Sequence, residues 1–292
     1  MGDDCSVLRV PKDHEILLTT DFSLEGTHFR RKWHSPESVG HRCLARGLSD
    51  IAAMGGKPLA AFLSLALPKD LPQKWADRFF NGFMGLANRY HVTLAGGDVA
   101  QSASGILADI VVAGVVARGQ AVLRSKASAG DLIYVTGELG GSAETFHRLM
   151  RGQKPNPKNY PRHFFPEPRL KIGKFLREKK LATAMIDVSD GLSTDLAHLC
   201  EESGVGARLL ASAIPRALIG ESDKIVSLDL ALHGGEDYEL LFTARPGAKI
   251  PRRVAGVRIS QIGQIARNRG MVLENKNKML TLKPQGWQYF SR

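Results

Sequence analysis

With 292 residues the chain can bury a substantial core, and its length favours two domains. Hydrophobic residues make up 43% and charged residues 24%, the balance of a globular protein rather than a disordered or fibrous one. No apolar run reaches the roughly 18 residues of a spanning helix, the start lacks a signal segment, and Cys5, Cys43 and Cys200 are widely spaced with no Cys-x-x-Cys, which together predict a reduced, cytoplasmic protein with no membrane partner.

The net charge of +11 gathers at Arg30-Arg31-Lys32, between Arg148 and Lys180, and between Lys276 and Lys283. Such a surplus draws in anions, phosphates among them. No RNA-binding sheet signature, zinc finger or interleaved basic and aromatic groove accompanies it, so nucleic acid is not the expected partner.

Along the chain, Cys5–Val10 and Glu15–Thr20 read as two short strands joined by the turn Pro11-Lys12-Asp13-His14. If Val10 faces Glu15, Asp4 stands opposite Asp21. Like charges in paired positions are unfavourable, by roughly 4 kcal/mol at about 4 Å and an effective dielectric of about 20. A neutral carboxylate, splaying into water, or a cation between the acids would each relieve this. Next comes a predicted helix, Glu37–Met54, stopped by Gly55-Gly56. Asp50 falls within about 20° of Val39 and Cys43 on its apolar stripe, where an acid is costly unless it is paired or holds a metal. Arg46, one turn earlier, is the candidate for an ordinary ion pair.

Strand Ala60–Leu67, helix Gln73–Tyr90, strand Val92–Ala95 and strand Leu107–Val116 follow. Asp98 is expected just beyond the strand Val92–Ala95, after Gly96-Gly97, where open α/β sheets place ligands. A second α/β block opens with the strand Leu132–Thr136, the loop Gly137-Glu138-Leu139-Gly140-Gly141 and a helix from Ser142. That loop is either a phosphate-holding helix N-terminus or a plain βα turn. The Pro- and basic-rich segment Arg151–Pro168 is expected as an exposed connection. Asp187 and Asp190 lie between an apolar run and a helix near Leu192, where Asp190 could equally be a cap. Glu236 and Asp237 follow Gly234-Gly235 and precede the predicted strand Tyr238–Thr243. Acids at several strand and helix ends, repeatedly beside Gly-Gly or Ser/Thr, suit divalent-metal phosphate chemistry, because hard cations take oxygen ligands.

Taken in order, the motifs are Gly2-Asp3-Asp4; Thr19-Thr20-Asp21; Gly26-Thr27-His28-Phe29; Leu48-Ser49-Asp50 through Gly55; Gly96-Gly97-Asp98; Arg124-Ser125; Pro166-Glu167-Pro168-Arg169-Leu170; Asp187-Val188-Ser189-Asp190-Gly191-Leu192; and Gly234-Gly235-Glu236-Asp237-Tyr238-Glu239-Leu240. Each alone is weak, but the ordered set, covering nearly the whole chain, resembles the thiamine-monophosphate kinases. These belong to the ATP-dependent superfamily that includes aminoimidazole ribonucleotide synthetase. The resemblance implies an α/β (α+β) fold of two domains. Residues 1–120 would form an N-terminal ATP- and Mg²⁺-binding domain whose sheet pairs with a dimer mate into a barrel. Residues 121–292 would form a C-terminal α/β domain, with the active site between the two. It implies magnesium (Mg²⁺) ligands at Asp4, Thr19, Thr20, Asp21, Asp50, Asp98, Asp187 and Asp190. It implies ATP contacts from Tyr90, Gly97, Asp98, Arg124 and Ser189, and contacts to thiamine monophosphate from His28, Glu236 and Trp287. It also implies an opening segment ahead of Gly2 that this sequence does not carry.

The implied reaction is phosphorylation of thiamine monophosphate to thiamine diphosphate, with no side chain acting as nucleophile or acid/base. The acceptor phosphate has a second pKa of about 6 and is largely dianionic at neutral pH, so the obstacle is repulsion between polyanions. Two other readings compete. A sister enzyme of the superfamily would act on another substrate. The selenophosphate-synthetase type requires a reactive residue near the start, whereas Cys5 lies in a predicted strand without a glycine-rich lysine loop. The hydrogenase-maturation type ends in a cysteine, whereas this chain ends Phe290-Ser291-Arg292. A non-catalytic nucleotide- or thiamine-phosphate-binding protein is the second alternative. For Trp287 the choice lies between stacking on a cationic ring and packing in the core.

Overall fold

The computed structural model describes residues 5–220 and 224–287. They form two compact units: one holds the chain up to Ile51, Gly56–Ala121 and Phe164–Leu170, the other Ala52–Gly55, Val122–His163 and the chain from Lys171 onward.

The first unit contains β1 (His14–Leu24), most of α1 (Pro36–Ala53), β2 (Lys57–Pro68), α2 (Gln73–Tyr90), β3 (Thr93–Ser102) and β4 (Leu107–Ala117). Its sheet runs β1-β4-β2-β3, antiparallel except for the β2–β3 pair. Because β4 is interior, its side chains meet neighbours on both sides, and Ile110 and Val112 are fully buried. Helix α1 lies on that face, with Gly47 set against Val112 and Thr19. Val39, Cys43, Leu44, Leu48 and Ile51 of α1 are all buried. In α2 the buried residues Phe79, Phe83, Leu86 and Ala87 recur at helical spacing, and Trp75, Phe79 and Phe83 stack in sequence. A bidentate Arg78–Glu37 pair, at 2.6 and 2.9 Å, links α2 to α1.

Two sequence expectations fail here. Cys5–Val10 forms no strand: β1 pairs with β4 along its whole length, placing Asp21 across from Ile110. The longer register also half-buries Leu17, Thr19 and Asp21 and buries Ser23 on the inner face of β1, which a local hairpin with a segment as exposed as Val7 (88%) could not do. The turn at Pro11 survives, with the His14 amide donating to Pro11 O at 3.3 Å, but the chain before it leaves the sheet edge and Ser6 donates to Ala95 O. Asp4, the other half of the expected pair, lies outside the described residues. The second failure is Asp98, which sits within β3 rather than beyond it. The strand runs on through Gly96-Gly97 to Ser102 because a one-residue bulge at Ala95 resets its register on β2.

The second unit contains β5 (Leu132–Thr136), α3 (Gly141–Met150), most of α4 (Pro161–Phe164) and of α5 (Leu170–Glu178), β6 (Ala184–Val188), α6 (Leu192–Ser203), β7 (Gly206–Leu210), α7 (Leu228–His233), β8 (Glu239–Ala244), β9 (Arg253–Val254), β10 (Val257–Ala266), β11 (Gly270–Asn275) and β12 (Lys278–Thr281). Its sheet follows the order β12-β11-β7-β10-β5-β8-β6, with β9 added on β10. Ile133, Val135, Ile186, Val188, Leu196, Leu199, Leu241 and Ile262 form its core, drawn from the sheet and from α6. The expected exposed connection over Arg151–Pro168 is exposed only in its first half. His163 and Phe164 are buried, His163 with its Nδ1 2.9 Å from Ser142 Oγ and Phe164, which belongs to the first unit, with its ring 5.5 Å from that of His34. Among the described residues no helix is long and apolar enough to cross a membrane. Cys43 and Cys200 are buried and Cys5 is exposed, all three as free thiols. Burial pushes both buried thiols up to about 12.

Gly97 has φ near +150°, and a Cβ there would lie 1.9 Å from the Leu63 carbonyl oxygen. Gly97→Ala is expected to lower the unfolding free energy by about 1–3 kcal/mol. Denaturant titration should show the midpoint falling at an unchanged slope.

Candidate functional site

In the first unit the acids are placed by strand alternation. Leu17, Thr19, Asp21 and Ser23 turn to the α1 side of β1, while Ile16, Leu18, Thr20 and Phe22 turn away. Thr19 Oγ1 donates to Asp50 Oδ2 at 2.5 Å, and Arg46 Nη2 lies 3.5 Å from Asp21 Oδ1. One turn of α1 separates Arg46 from Asp50, so the helix presents a cation and an acid to the inner face of β1. Asp50 is half-buried, as its place on the helix required. Thr20 stands apart: its hydroxyl donates to Asp109 Oδ1 at 3.0 Å on the opposite face. The structure therefore brings Thr19, Asp21 and Asp50 together and turns the Thr20 side chain away from them.

His28 sits in the turn after β1, where the Leu24 amide donates to its Nδ1 at 3.0 Å, leaving the proton of the neutral ring on Nε2. Asp98 is exposed, with Oδ1 accepting from the Val99 amide at 2.8 Å. Tyr90, at the end of α2, gives its hydroxyl to Glu167, which also pairs with Arg89 at 2.7 Å. Burial, followed by the hydrogen bond and charge of Glu167, raises the phenol above its usual range. The Pro166-Glu167-Pro168 motif thus anchors α2 rather than standing open.

In the second unit the loop from β6 to α6 carries Asp187, Ser189 and Asp190. Asp187 is buried, and Asp190 half-buried. The amides of Ser189, Asp190 and Gly191 all donate to Oδ2 of Asp195, at 3.1, 3.1 and 3.0 Å. Burial, and then Asp187 and Asp190, push Asp195 up to about 8. Ligand atoms of Asp190, Asp195 and His198 lie within 4.8 Å of one another. Glu236 is held at φ 66°, in the left-handed region, its amide donating to Ser189 O at 2.7 Å. Strain of this kind persists where surrounding structure over-determines it, often at functional loops. Trp287 is 51% exposed, which excludes the core-packing reading, and its amide donates to Asp190 O at 3.1 Å. Gly286 must be glycine, since a Cβ would lie 2.0 Å from that same carbonyl oxygen. Arg124 is exposed, its carbonyl accepting from Ser203 Oγ at 2.6 Å.

The loop before α3 is not a phosphate cradle. The carboxylate of Asp237 already occupies the helix N-terminus, accepting from the Gly140 amide at 2.6 Å and the Ser142 amide at 3.3 Å. Sequence reasoning passed over Asp237 as one of two turn acids, and missed Asp195 altogether. A signal for Asp195 existed: about 100° per residue puts it about 40° from Leu199, on the apolar face of α6. That is the same test that picked out Asp50.

The AIR synthase related protein N-terminal domain family matches residues 2–116, and its C-terminal domain counterpart matches residues 128–274. The thiamine-monophosphate kinase of Buchnera aphidicola (subspecies Acyrthosiphon pisum) is 36% identical over 302 residues, 99% of this chain and 92% of that protein. Among solved structures, AaThiL complexed with AMPPCP and TMP superimposes with a TM-score of 0.84 at 31% identity, over 99% of this chain and 92% of that one. The thiamine-monophosphate kinase of Stenotrophomonas maltophilia K279a gives 0.82 at 32% identity, over 95% and 90%.

Burial pushes Asp237 up to about 7, against the pull of the two amides it accepts from. A carboxyl raised on folding binds its proton more tightly in the folded state, so its contribution to stability is fully present below the unfolded pKa and lost as pH rises toward 7. Asp237→Asn should remove that loss. Urea unfolding across pH 4.5 to about 7.5 should give a shallower fall in stability for the variant than for the wild type.

Proposed function

The chain belongs to the thiamine-monophosphate kinases, and from that membership we propose direct transfer of the γ-phosphoryl group of ATP onto the phosphate of thiamine monophosphate, giving thiamine diphosphate. The end-to-end likeness to relatives named for this activity carries the reading. The chemistry of the chain supports it. A dianionic acceptor needs no base, so catalysis reduces to positioning and charge stabilisation.

Mg²⁺ ligation is proposed for Asp4, Thr19, Thr20, Asp21, Asp50 and Asp98 of the first unit and for Asp187 and Asp190 of the second. The donor set fits: it is all oxygen, as hard cations require, and Asp187 and Asp190 lie close together at the end of β6 and in the turn before α6. For Thr20, whose hydroxyl turns to Asp109, a ligand role would fall to the backbone oxygen or require a new rotamer. Bound Mg²⁺ would neutralise phosphate charge and align the reacting oxygens. Gly97, Asp98, Arg124 and Ser189 are proposed to contact ATP. Arg124 offers an exposed guanidinium fork for phosphate oxygens. Tyr90 could meet the nucleotide only through its ring, since its hydroxyl is committed to Glu167.

His28, Glu236 and Trp287 are proposed to meet thiamine monophosphate. His28 would donate from Nε2, and Trp287 would offer a face to the cationic thiazolium. We also propose a homodimer formed through the outward face of the first sheet, where Ile16, Leu18 (68%) and Phe22 stand exposed. The N-terminal unit would then serve ATP and Mg²⁺ binding as well as dimerisation, in a cytoplasmic enzyme of thiamine diphosphate synthesis.

ATP labelled on the γ-phosphate should deliver its label to thiamine diphosphate and leave none on the protein; a stoichiometric phosphoenzyme would overturn direct transfer. Mg²⁺ with a non-hydrolysable ATP analogue at about 100 times its dissociation constant should stabilise the wild type by about 2.7 kcal/mol. Asp50→Asn should lose most of that gain in a thermal-shift measurement. Trp287→Ala should raise the KM for thiamine monophosphate by roughly 2- to 30-fold while leaving the KM for ATP and the melting temperature near their wild-type values.

A further inference from the structure

Three segments distant in sequence are joined at the turn Ser189-Asp190-Gly191. Its carbonyls serve the two substrate-side segments: Ser189 O accepts the Glu236 amide at 2.7 Å and Asp190 O accepts the Trp287 amide at 3.1 Å. Its three amides converge on one atom, Oδ2 of Asp195, a residue only 2% exposed. The two residues of α6 just before Asp195 extend the join. Thr194 Oγ1 accepts the Gly286 amide at 3.0 Å, and Ser193 Oγ accepts the Gln285 amide at 3.4 Å while meeting His233 Nδ1 at 2.8 Å.

We infer that Asp195 is a positioning residue: by holding the turn from beneath, its carboxylate sets the geometry of the nucleotide- and metal-side residues Ser189 and Asp190 together with that of the substrate-side residues Glu236 and Trp287. This rests on the functional reading above. Three backbone donors converging on a single buried oxygen form a directional anchor, because losing that oxygen leaves three amides of the turn unmet. The same commitment occupies Oδ2 of Asp195, so that beside Asp190 and His198 only its Oδ1 is left to meet a metal. Outer residues that orient a site in this way typically affect activity by roughly 10- to 100-fold when removed.

The test compares Asp195→Ala with Asp195→Asn in the full chain, by amide hydrogen exchange and by kinetics. Asp195→Ala should speed exchange at the 189–191 amides and also in the peptides containing Glu236 and Trp287. It should raise the KM for both ATP and thiamine monophosphate and lower kcat/KM by roughly 10- to 100-fold. Asp195→Asn keeps an acceptor oxygen in place, and should restore most of the protection and most of the activity at an unchanged Mg²⁺ requirement. Faster exchange confined to residues 189–191 in Asp195→Ala would overturn the coupling. If Asp195→Asn keeps the exchange pattern but raises the Mg²⁺ requirement as Asp190→Asn does, Asp195 is a ligand and the inference fails. Should the alanine variant not fold, Asp195→Ser, whose shorter side chain withdraws the acceptor from the turn, is read in its place by the same exchange comparison. A wild type that makes no thiamine diphosphate would sink the functional reading instead, while the exchange pattern would still judge the positioning role.

Discussion

A carboxylate taken out of water must be met by donors or neutralised, and the loops of the second unit are shaped by that demand. Leaving such a group unmet costs several kcal/mol, a large share of the stability of any domain. Asp195 gathers three backbone amides and Asp237 two. Glu239 is met by Thr136 at 2.6 Å and Arg162 at 3.1 Å, and Asp131 by the Ser128 amide and the Thr183 hydroxyl. The donors come from turns, from a neighbouring strand or from the start of a helix, so satisfying each acid ties one segment to another. The phosphate chemistry proposed for this protein needs fixed loops, since positioning is most of what such catalysis requires.

The first unit solves a related problem by alternation. Adjacent threonines on β1 are sent to opposite faces, and only Thr19 joins Asp21 and Asp50. Arg46 contributes a positive charge beside Asp21, a partial neutralisation that keeps the acids compatible with folding when no cation is present. Sheet geometry thus selects which of three consecutive polar residues can share a ligand through their side chains.

What could be read from the sequence was local. Helix α2 and strand β5 have the bounds that their periodicity and flanking residues predict, because those signals depend on nearby residues alone. Strand pairing is decided between distant residues. Cys5–Val10 has strand-like composition and a good turn after it, yet β4 offered β1 a longer register with one face half-buried. The bulge that carries β3 past Ala95 had only Gly96-Gly97 as a signal, and those glycines read equally well as a strand end. The candidate acids were legible as residue types beside glycine and serine. Their supports were not, because the turn that presents Asp190 is held by an acid on the buried side of the following helix, and the α3 N-terminus is closed by one arriving from far along the chain.

The distribution of the thiols has a practical consequence. Cys43 lies fully buried within α1 of the first unit, and Cys200 lies in α6 of the second. With their thiols pushed up to about 12, neither is a ready nucleophile at neutral pH while its unit stays closed. A maleimide added to the folded chain meets Cys5 first, and each later adduct marks the opening of one particular half. The protein therefore carries a chemical clock in each unit, able to time their unfolding separately without any introduced label site.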